Sequence, residues 1–379
     1  MGYAERKEQS PQGNVPNLRF PEFSGEWEKF RNDSLFNVVS EKNKGKQITS
    51  VLSASQTDGM VSRDSLGIDI KFEEDSIKNY KIVREGDYVI HLRSFQGGFA
   101  FSDRVGVCSP AYTILRPTQQ ISYGFLKPFF MSNKFIDSLR LVTYGIRDGK
   151  SISVEEWLKL NTNLPSVEEQ KKISIFLSLL DDRIATQIKI IEDLKKLKSA
   201  ISKTILIGNK FECRQITLGE VADIYQPQTI PTSWLCEKHE YDVYGANGII
   251  GKYSKYNHET SQICIACRGN SCGAVNYSTP KSWITGNAMV INTDGKDVDK
   301  RYLYHLLCTI NFTPLISGSG QPQIVRSPLE KMKIRLPNLT IQRNISKVLD
   351  DIESKVEIEE EICKRFIKQK LGLLSQMFI

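Results

Sequence analysis

The most regular feature of the chain is a pair of long apolar stripes in which the steps are mostly three or four residues. The first stripe follows "LPSVEEQ", which begins at Leu164, and the second follows "LPNLTIQ", which begins at Leu336. This spacing places apolar side chains along one face of an α-helix and is typical of a coiled-coil seam. The stripes consist of Ile173, Leu177, Leu180, Ile184, Ile188, Ile191, Leu194, Leu197, Ile201 and Ile205, then of Ile345, Leu349, Ile352, Val356, Ile362, Phe366, Leu373 and Met377.

The residues around both stripes predict how the helices begin. Ser166 and Glu169 have the spacing of a capping box, and Asn338 can cap the second helix alone. Gln170 and Gln342 occupy matching places, where they act as ordinary helix formers or hydrogen-bond to the preceding domain; we expect the former. The first helix should cover about residues 168–206, and Glu359 should interrupt the second stripe.

The two helix starts belong to an internal duplication. They lie 172 residues apart, and the same shift relates Pro165 to Pro337 and Ile173 to Ile345. A period of this length is a whole domain plus a helix, unlike the short units of a solenoid. The chain is therefore predicted to run domain, helix, domain, helix.

The segments before each helix start have a mixed pattern. Strands are predicted in "GDYVIHLRSF" and "AYTILRP" of the first half, and in "QICIACRG", "GAVNY" and "AMVINT" of the second. Short helices are predicted in "ISYGFLKPFFMSNKFIDSLR", with an interruption at Pro128, and in "KRYLYHLLCTI". Both domains are therefore expected to be α+β.

The connection between the halves restricts their arrangement. The first helix would be roughly 58 Å long, whereas the ten or so residues from 207 to 217 reach at most about 35 Å. The second domain should therefore follow the far end of the first helix. If the two seams bury each other, the helices run antiparallel and the mixed domains take a pseudo-twofold arrangement.

These patterns give five predicted segments. They are an N-terminal tail and docking segment with several aromatic residues (1–30), a first mixed domain (31–163), a central spacer helix (164–212), a second mixed domain (213–335) and a C-terminal spacer helix (336–379).

Composition narrows the class of protein. The hydrophobic fraction of 40% and charged fraction of 25% are those of a soluble globular protein. The formal net charge of +7 permits a polyanionic partner without requiring one. No apolar run approaches the length of a membrane span, and the N-terminal residues do not resemble a secretory signal. Eight scattered cysteines fit reduced thiols in a cytoplasm.

Two short motifs imitate ligand sites. "CIACRGNSC" contains Cys264, Cys267 and Cys272, but a second ligand pair is missing, so we expect buried thiols rather than a metal site. "GANGIIGKY" has the wrong glycine spacing for a phosphate loop, and Tyr253 follows its lysine where serine or threonine is needed. We expect a glycine-rich hairpin there. The sequence also lacks an Asn-Pro-Pro-Tyr motif of adenine methylation, so we predict no catalytic residues.

The order of parts resembles the specificity subunit of type I restriction-modification systems. The resemblance rests on "VPNLRFPEF.GEW", on the two "LP…Q..I…L" helix starts and on the alternation of domain and helix. It implies two target recognition domains, each of which reads one half of a bipartite, asymmetric DNA site. The helices are implied to set the spacer and to dock two modification (methyltransferase) subunits. A restriction subunit with translocase and nuclease activity is a further implied partner. S-adenosylmethionine, ATP and Mg would serve the partners, and this subunit would need no cofactor.

DNA contact needs side chains that reach base edges or phosphates. We expect such residues in polar, glycine-containing loops, although each loop could equally be a solvated surface. The lysines of the first helix (Lys189, Lys195, Lys196, Lys198 and Lys203) could bridge to spacer phosphates or form a solvated face. The candidate DNA-binding residues are Arg93, Ser94, Gln96, Arg104, Tyr144, Arg147, Lys150, Asn247, Lys252, Tyr253, Lys255, Arg268, Asn270, Gln321, Gln323 and Arg326.

Two other functions remain open on the sequence. A coiled-coil scaffold whose domains bind proteins would share the architecture but not the steep salt dependence of phosphate contacts. A self-contained methyltransferase is disfavoured by the chain length and the missing motif.

Overall fold

The computed structural model describes residues 13–45, 47–55, 58–63, 74–91, 98–144, 151–208, 211–318 and 320–379. The chain divides into two compact units, one formed by Met1–Thr186 with Cys363–Ile379 and the other by Gln187–Ile362. Below they are called unit 1 and unit 2. Each unit contains one mixed domain, called head 1 (residues 31–163) or head 2 (residues 213–335), and parts of both long helices.

Head 1 is built on an antiparallel four-stranded sheet with the order β2-β9-β6-β7. Its strands, with the flanking β1 and β12, are β1 (Glu28–Arg31), β2 (Phe36–Val39), β3 (Leu52–Ser55), β4 (Gly59–Ser62), β5 (Lys81–Val83), β6 (Tyr88–Ile90), β7 (Phe99–Phe101), β8 (Gly106–Cys108), β9 (Thr113–Pro117), β10 (Thr143–Tyr144), β11 (Ser151–Ile152) and β12 (Asn161–Leu164). Its α-helices are α1 (Asn32–Leu35), α2 (Leu126–Phe130), α3 (Asn133–Ser138) and α4 (Val154–Lys159), with 3-10 turns at Glu74–Asn79 and Leu139–Val142.

Helix α5 (Val167–Ser202) follows head 1 and continues through a π-helical turn at Lys203–Ile207. Head 2 then repeats the sheet of head 1, with the antiparallel order β14-β20-β17-β18. Its strands are β13 (Arg214–Thr217), β14 (Asp223–Tyr225), β15 (Tyr241–Gly245), β16 (Gly248–Tyr253), β17 (Ile263–Ala266), β18 (Val275–Tyr277), β19 (Trp283–Ile284), β20 (Ala288–Asn292) and β21 (Lys333–Leu336). Its helices are α6 (Leu218–Val221), α7 (Lys300–Cys308) and α8 (Arg326–Glu330), with 3-10 turns at Thr232–Trp234 and Thr313–Leu315; α9 (Leu339–Met377) follows.

The two heads share more than the four-stranded sheet. In each, the first and last strands form an antiparallel pair, β1 with β12 and β13 with β21, so the chain enters and leaves the head side by side. The four strands of each sheet occur in the same chain order and take the same places. The predicted duplication and the predicted α+β class are therefore confirmed by topology, although the two sequences differ.

The long helices run antiparallel within each unit. In unit 1, Asp181 of α5 pairs with Lys370 of α9, while Arg183 lies over the ring of Phe366 at 4.7 Å. In unit 2, Gln187 contacts Glu359 and Lys198 pairs with Glu353 at 2.8 Å. In both units a later position on α5 meets an earlier position on α9, as the two apolar stripes predict.

The polar residues of the seam differ from the prediction. Ile188 and Leu197, which were predicted to lie inside it, are 45% and 50% exposed, and Gln187 is buried instead. Glu359 interrupts the apolar stripe as predicted, but it stays in the seam, because it is buried and accepts a hydrogen bond from the Gln187 amide. A polar pair thus takes a place that the spacing assigned to apolar side chains.

The predicted helix starts are partly correct. The Asn338 side chain caps α9 by accepting from Ile341 N at 3.0 Å. Ser166 accepts from Glu169 N at 3.3 Å, but Glu169 does not complete the box, because its carboxylate binds Arg19 at 2.7 Å. The break predicted at Pro128 is also wrong. Pro128 lies in the first turn of α2, where its missing N–H costs nothing, and the break comes at Ser132, which caps α3.

Gln170 and Gln342 correct another expectation, because both amides hydrogen-bond to the heads. Gln170 is 1% exposed and accepts from Ser122 N at 2.8 Å, while its Nε2 donates to the carbonyl of Gln120 at 2.8 Å. Gln342 is equally buried and accepts from Asp299 N at 3.0 Å. Each amide also donates to the proline carbonyl just before its helix. The same side chain therefore fastens each head to the helix that follows it.

The N-terminal segment and the last turn of α9 both pack on head 1. The Trp27 indole is 2% exposed and lies against Phe125 and Phe378, and Phe20 meets Phe176 edge to face. In the described part of the chain, no helix is both long and apolar enough to cross a membrane.

Candidate nucleic-acid interface

Three strand ends meet at one end of the head 2 sheet. β14 and β17 end there and β20 begins there, since both pair antiparallel with β20. The loop after β17 is joined to the segment before α8 by a bridge between Arg268 and Gln323. Gly269 N donates to Pro322 O at 3.0 Å, and Ile324 N donates to Cys267 O at 3.1 Å. Two groups of candidates from distant parts of the sequence therefore form one surface.

A closed turn presents the glutamines of this surface. Ser317 and Gln323 exchange two backbone hydrogen bonds of 2.8 Å, which fixes the base of the turn. Gly318 has φ +91°, and a Cβ there would lie 2.5 Å from Gln321 O, so the turn requires glycine. The side chains of Gln321 and Gln323 are exposed, as is Asn270 in the neighbouring loop.

The candidate cations of head 2 differ in how their charge is balanced. Arg326 binds Glu330 at 2.6 Å and Lys252 lies 3.5 Å from Asp242, so a nearby carboxylate offsets each charge. Arg268 and Lys255 are exposed and have no ion pair within the described residues. Of the four cations of head 2 that the sequence singled out, these two are the most available to a polyanion.

A hairpin carries the remaining candidates of head 2. β15 and β16 are joined by a two-residue turn in which Asn247 is exposed, which confirms the glycine-rich hairpin predicted for "GANGIIGKY". Tyr253 is half-buried, stacked on Trp234 at 6.0 Å and edge-on to Trp283 at 5.4 Å. The Tyr253 ring thus contributes to packing. Trp234, which is 52% exposed, was not among the candidates named from the sequence.

Head 1 offers fewer described candidates. Arg104 is 51% exposed, but its Nε lies 2.7 Å from the carboxylate of Asp103, which raises the Arg104 pKa and offsets its charge. Tyr144 belongs to β10, and its side chain lies outside the described residues. The candidates Arg93, Ser94, Gln96, Arg147 and Lys150 also lie outside them.

Three of the five lysines named from the sequence are already paired, whereas Lys189 and Lys203 are exposed with no ion pair among the described residues. Lys195 pairs with Glu360 at 2.6 Å and Lys198 with Glu353 at 2.8 Å, while Lys196 lies 3.8 Å from Asp193. A lysine already paired on the helices has less to gain from a phosphate, so this geometry favours the solvated face over the phosphate bridge.

Cys264 and Cys267 of head 2 are buried thiols. Cys264 lies in a cluster with Tyr244 and Ile284, whereas Cys267 lies in the main core of the head, on the opposite face of the sheet. Their sulfurs therefore cannot share a metal ion. Burial raises the pKa of Cys264 to about 12 and also raises that of Cys267, which keeps both thiols protonated. All eight cysteines, each of them described, are unpaired.

Among the described residues, His305, Asp350 and Glu353 are the group whose spacing could hold a metal ion. Arg301 already binds both carboxylates, Lys198 binds Glu353, and the His305 ring lies 2.7 Å from Asp350. These cations neutralise the acidic pair, so the cluster serves as an ionic contact between α7 and α9.

Gln226 is the recognition candidate that the sequence did not suggest. It follows β14 at the same sheet end as Arg268, and its amide donates to Cys267 Sγ and to Gly286 O, both at 3.1 Å. The signal that could have found it is a polar residue held extended by Pro227 directly after a buried strand.

Comparisons with known proteins agree with this architecture. The family described as type I restriction modification DNA specificity domain matches residues 24–196 and again residues 212–365. A putative type I restriction enzyme specificity subunit of Haemophilus influenzae is 32% identical over 38% of this chain and 38% of its own length. The EcoprrI specificity subunit of Escherichia coli is 26% identical over 41% of this chain and 40% of its own. The chain thus spans less than half the length of these two curated relatives.

Other similarities extend along the whole chain. The MjaVIII specificity subunit of Methanocaldococcus jannaschii is 24% identical, with 94% of this chain and 92% of that protein covered. The crystal structure of an S subunit from M. genitalium superposes with a TM-score of 0.67 at 16% identity, over 96% of this chain and 99% of that one. A structure described as the basis of assembly and conformational transition of the type I system gives a TM-score of 0.56 at 17% identity, over 93% and 97%.

The two structural likenesses show a shared fold, and the family match shows descent, because it covers both heads together with the start of each long helix. The chain carries the same specificity domain twice and has the strand order of one domain repeated in the other. It belongs to the family of type I restriction-modification specificity subunits, the non-catalytic components of such systems.

Proposed function

We propose that each head of this chain reads one half of a bipartite, asymmetric DNA site for a type I restriction-modification complex. The observation that carries this proposal is that the two heads share a sheet order but differ in the sequence that follows equivalent strands. After β6 the sequence is "HLRSFQGG", and after the equivalent β17 it is "CRGNSCG". Equal folds with unequal recognition loops suit two unequal half-sites.

Within head 2, the exposed side chains divide into two roles. Arg268, Asn270, Gln321 and Gln323 lie on joined loops and have the chemistry that reads base edges. Lys252, Lys255 and Arg326 have the chemistry that contacts phosphates and sets the register of the head on the duplex. In head 1, Arg104 is the described candidate for a phosphate contact. Arg93, Ser94, Gln96, Tyr144, Arg147 and Lys150 remain candidates on sequence grounds.

The long helices are proposed to set the spacer between half-sites and to dock two methyltransferase subunits. A surface hollow recurs at the junction of each head with the helix that follows it. This recurrence supports one docking site for a methyltransferase subunit in each unit. One hollow of about 450 Å³ includes Leu164 and Gln170, and another of about 590 Å³ includes Leu336 and Gln342. Restriction subunits would join the same complex. S-adenosylmethionine, ATP and Mg would belong to those partners, this chain would carry no cofactor, and the complex would act in the cytoplasm.

The decisive experiment is a methylome. The chain would be expressed with the methyltransferase subunits of its own system in a host that lacks DNA methylation, and modified bases would be mapped across the genome. We expect one split motif, its loss when the chain is omitted, and no methyl transfer by the purified chain alone. Methylation without a fixed motif, or transfer by the single chain, would contradict the proposal.

Substitution of Arg268 separates base reading from phosphate contact. Lysine keeps the charge but not the planar fork that matches guanine O6 and N7. If Arg268 reads a base, both R268K and R268A should lose about 1–3 kcal/mol of discrimination at one base pair of one half-site. If it contacts a phosphate, R268K should behave as wild type, and R268A should weaken all sequences equally. A binding affinity that does not change with salt would instead favour a protein-binding scaffold.

A further inference from the structure

Gln226 differs from the other polar residues at the sheet end of head 2 because its amide is already committed. The side chain is exposed, yet Nε2 lies 3.1 Å from the carbonyl oxygen of Gly286 and 3.1 Å from Cys267 Sγ. A carbonyl oxygen can only accept, so the nitrogen of the amide must face Gly286, and the opposite flip would oppose two oxygens. Each of the two N–H groups thus has a partner.

The amide oxygen is left as the available polar atom. Within the described residues, no donor is bonded to Oε1 of Gln226, and the thiol of Cys267 beside it is buried. Burial raises the Cys267 pKa, so the neutral sulfur can accept from Nε2 without presenting a negative charge. Gln226 therefore offers an acceptor to the outside and withholds its donors.

The segment that carries Gln226 is held in place on the strand beside it. Gly286 N donates to Thr229 Oγ1 at 3.2 Å, and the Trp283 indole donates to Gln228 O at 3.1 Å. A Cβ at Gly286 would lie 2.8 Å from Pro227 O, so the close approach depends on glycine. A side chain that neighbouring residues hold in place loses little conformational entropy on binding, so it can discriminate sharply between bases.

We propose that Gln226 determines one base of the half-site read by head 2 by accepting a hydrogen bond from an exocyclic amino group in the major groove. That group is N4 of cytosine or N6 of adenine, the donors which bases present there. A glutamine with a free amide would contact adenine through both its N–H and its C=O. The N–H groups of Gln226 are already bonded, so only its C=O is available to accept. The neighbouring Arg268 offers only donors, so the two side chains present complementary chemistry to adjacent base edges.

This inference rests on the proposed function, and selection from random duplex DNA tests the two separately. The full chain, assembled with the methyltransferase subunits of its system, would select sequences as wild type, Q226M, Q226A and Q228A. Methionine preserves the length of the side chain but has no oxygen acceptor. Gln228 is the matched control, an exposed glutamine of the same segment whose side chain makes no hydrogen bond among the described residues.

We expect Q226M and Q226A to lose about tenfold in preference at one base pair, which corresponds to a single base contact. The rest of that half-site, the other half-site and the Q228A motif should be unchanged, and the unchanged remainder of the half-site read by head 2 also shows that head 2 still folds in the variants. A Q226M motif identical to wild type would overturn the inference while leaving the proposed function intact. A wild-type complex that selects no motif would defeat both.

A chemical change in the DNA then identifies the atom. At the base pair that depends on Gln226, the amino group would be removed with deoxynebularine in place of adenine, or blocked with N4-methylcytosine in place of cytosine. Wild-type affinity should fall about tenfold and Q226M affinity should not, because the same hydrogen bond is missing in both cases. Equal losses in the two proteins would overturn the assignment of the amino group.

Discussion

Gln342 is a single residue on which the joining of head 2 to α9 depends. Its amide is 1% exposed, accepts from Asp299 N and donates to Pro337 O. Alanine would leave the buried Pro337 O and the part-buried Asp299 N without this partner, at about 1–3 kcal/mol for each group that water cannot reach. We expect Q342A to lower the free energy of unfolding of unit 2 by at least about 1–3 kcal/mol, the cost of the buried Pro337 carbonyl alone, measured by urea unfolding.

The control for this substitution is Q369A, which removes the exposed amide of Gln369 from the same helix. Glutamate at position 342 keeps the acceptor for Asp299 N but buries a carboxylate whose other oxygen faces Pro337 O, so Q342E should destabilise unit 2 at least as much as Q342A. Unfolding of Q342A that matches Q369A would show that the amide is not needed at the junction.

His305 gives the stability of unit 2 a dependence on pH. Burial lowers the His305 pKa below its ordinary 6.5, despite the nearby Asp350. As the pH falls below about 6.5, the unfolded chain takes up a proton that the folded chain resists, so the folded state loses stability. We expect the urea midpoint to fall between about pH 7.5 and pH 5.5, and H305Q to show a smaller fall.

The fall should not vanish in H305Q, because burial also lowers the pKa of His258 in the same unit. Lys198, Arg301 and Glu353 surround the ring from α5, α7 and α9. A midpoint that rises as the pH falls would contradict the sign of the effect.

The roles of individual side chains were harder to predict from the sequence than the helices and strands. A glutamine in a helix is usually a solvated helix former. The sequence shows that Gln170 and Gln342 occupy matching places 172 residues apart, but it does not show which groups either amide hydrogen-bonds to. The partners, Ser122 and Asp299, belong to loops whose positions depend on the folded sheet. Gln226 was missed for the same reason, since its proposed role depends on Cys267, just after β17, and on Gly286, in the turn before β20.

At the scale of elements, the seam between α5 and α9 contains a polar pair where apolar residues would bury more surface. The Gln187 amide donates to the carboxylate and to the backbone carbonyl of Glu359, and Lys355 binds the same carboxylate at 2.6 Å. A buried polar pair in a coiled coil specifies the register of its helices at a cost in stability.

Replacing both residues of the pair with apolar side chains should show how much stability the polar contact costs. We expect the double variant Q187L/E359L to unfold at a higher temperature than wild type, because two apolar side chains replace a desolvated polar contact. Q187L alone should unfold at a lower temperature, because the Glu359 carboxylate then loses its buried donor. Thermal unfolding followed by circular dichroism measures both, and a double variant less stable than either single variant would contradict this account.

Elements were predicted better than residues because their signal is local. The strands of "QICIACRG" and "AMVINT" appear as β17 and β20, and both long helices begin at the expected Leu-Pro stretches. The seam was wrong where periodicity allowed two answers. From Ile184 a step of three reaches Gln187 and a step of four reaches Ile188, and hydrophobicity favoured the second. In the structure Gln187 takes the buried position, because Glu359 of the partner helix lies opposite it.

At the scale of the whole molecule, head 2 is connected as an exchangeable module. The pairing of β13 with β21 sets Arg214 opposite Leu336, so the chain enters and leaves the head at one point. We expect that replacing residues 213–335 with the second head of another family member will change one half-site of the methylated motif. The other half-site and the spacer length should stay the same, because head 1 and both helices are untouched.

The junction determines whether such a chimera folds. A foreign head must still offer a backbone N–H to Gln342, and it must balance Asp350 and Glu353, which Arg301 and His305 of α7 now bind. Two chimeras separate recognition from assembly, one with Arg301 and His305 restored in the foreign helix and one without. Both should methylate the same new motif, and the unrestored chimera should be less stable, because carboxylates that lose their partners destabilise a partly buried site. A new motif that differed between the two would mean that recognition by head 2 depends on its contact with α9, and the head would then not be a separate module.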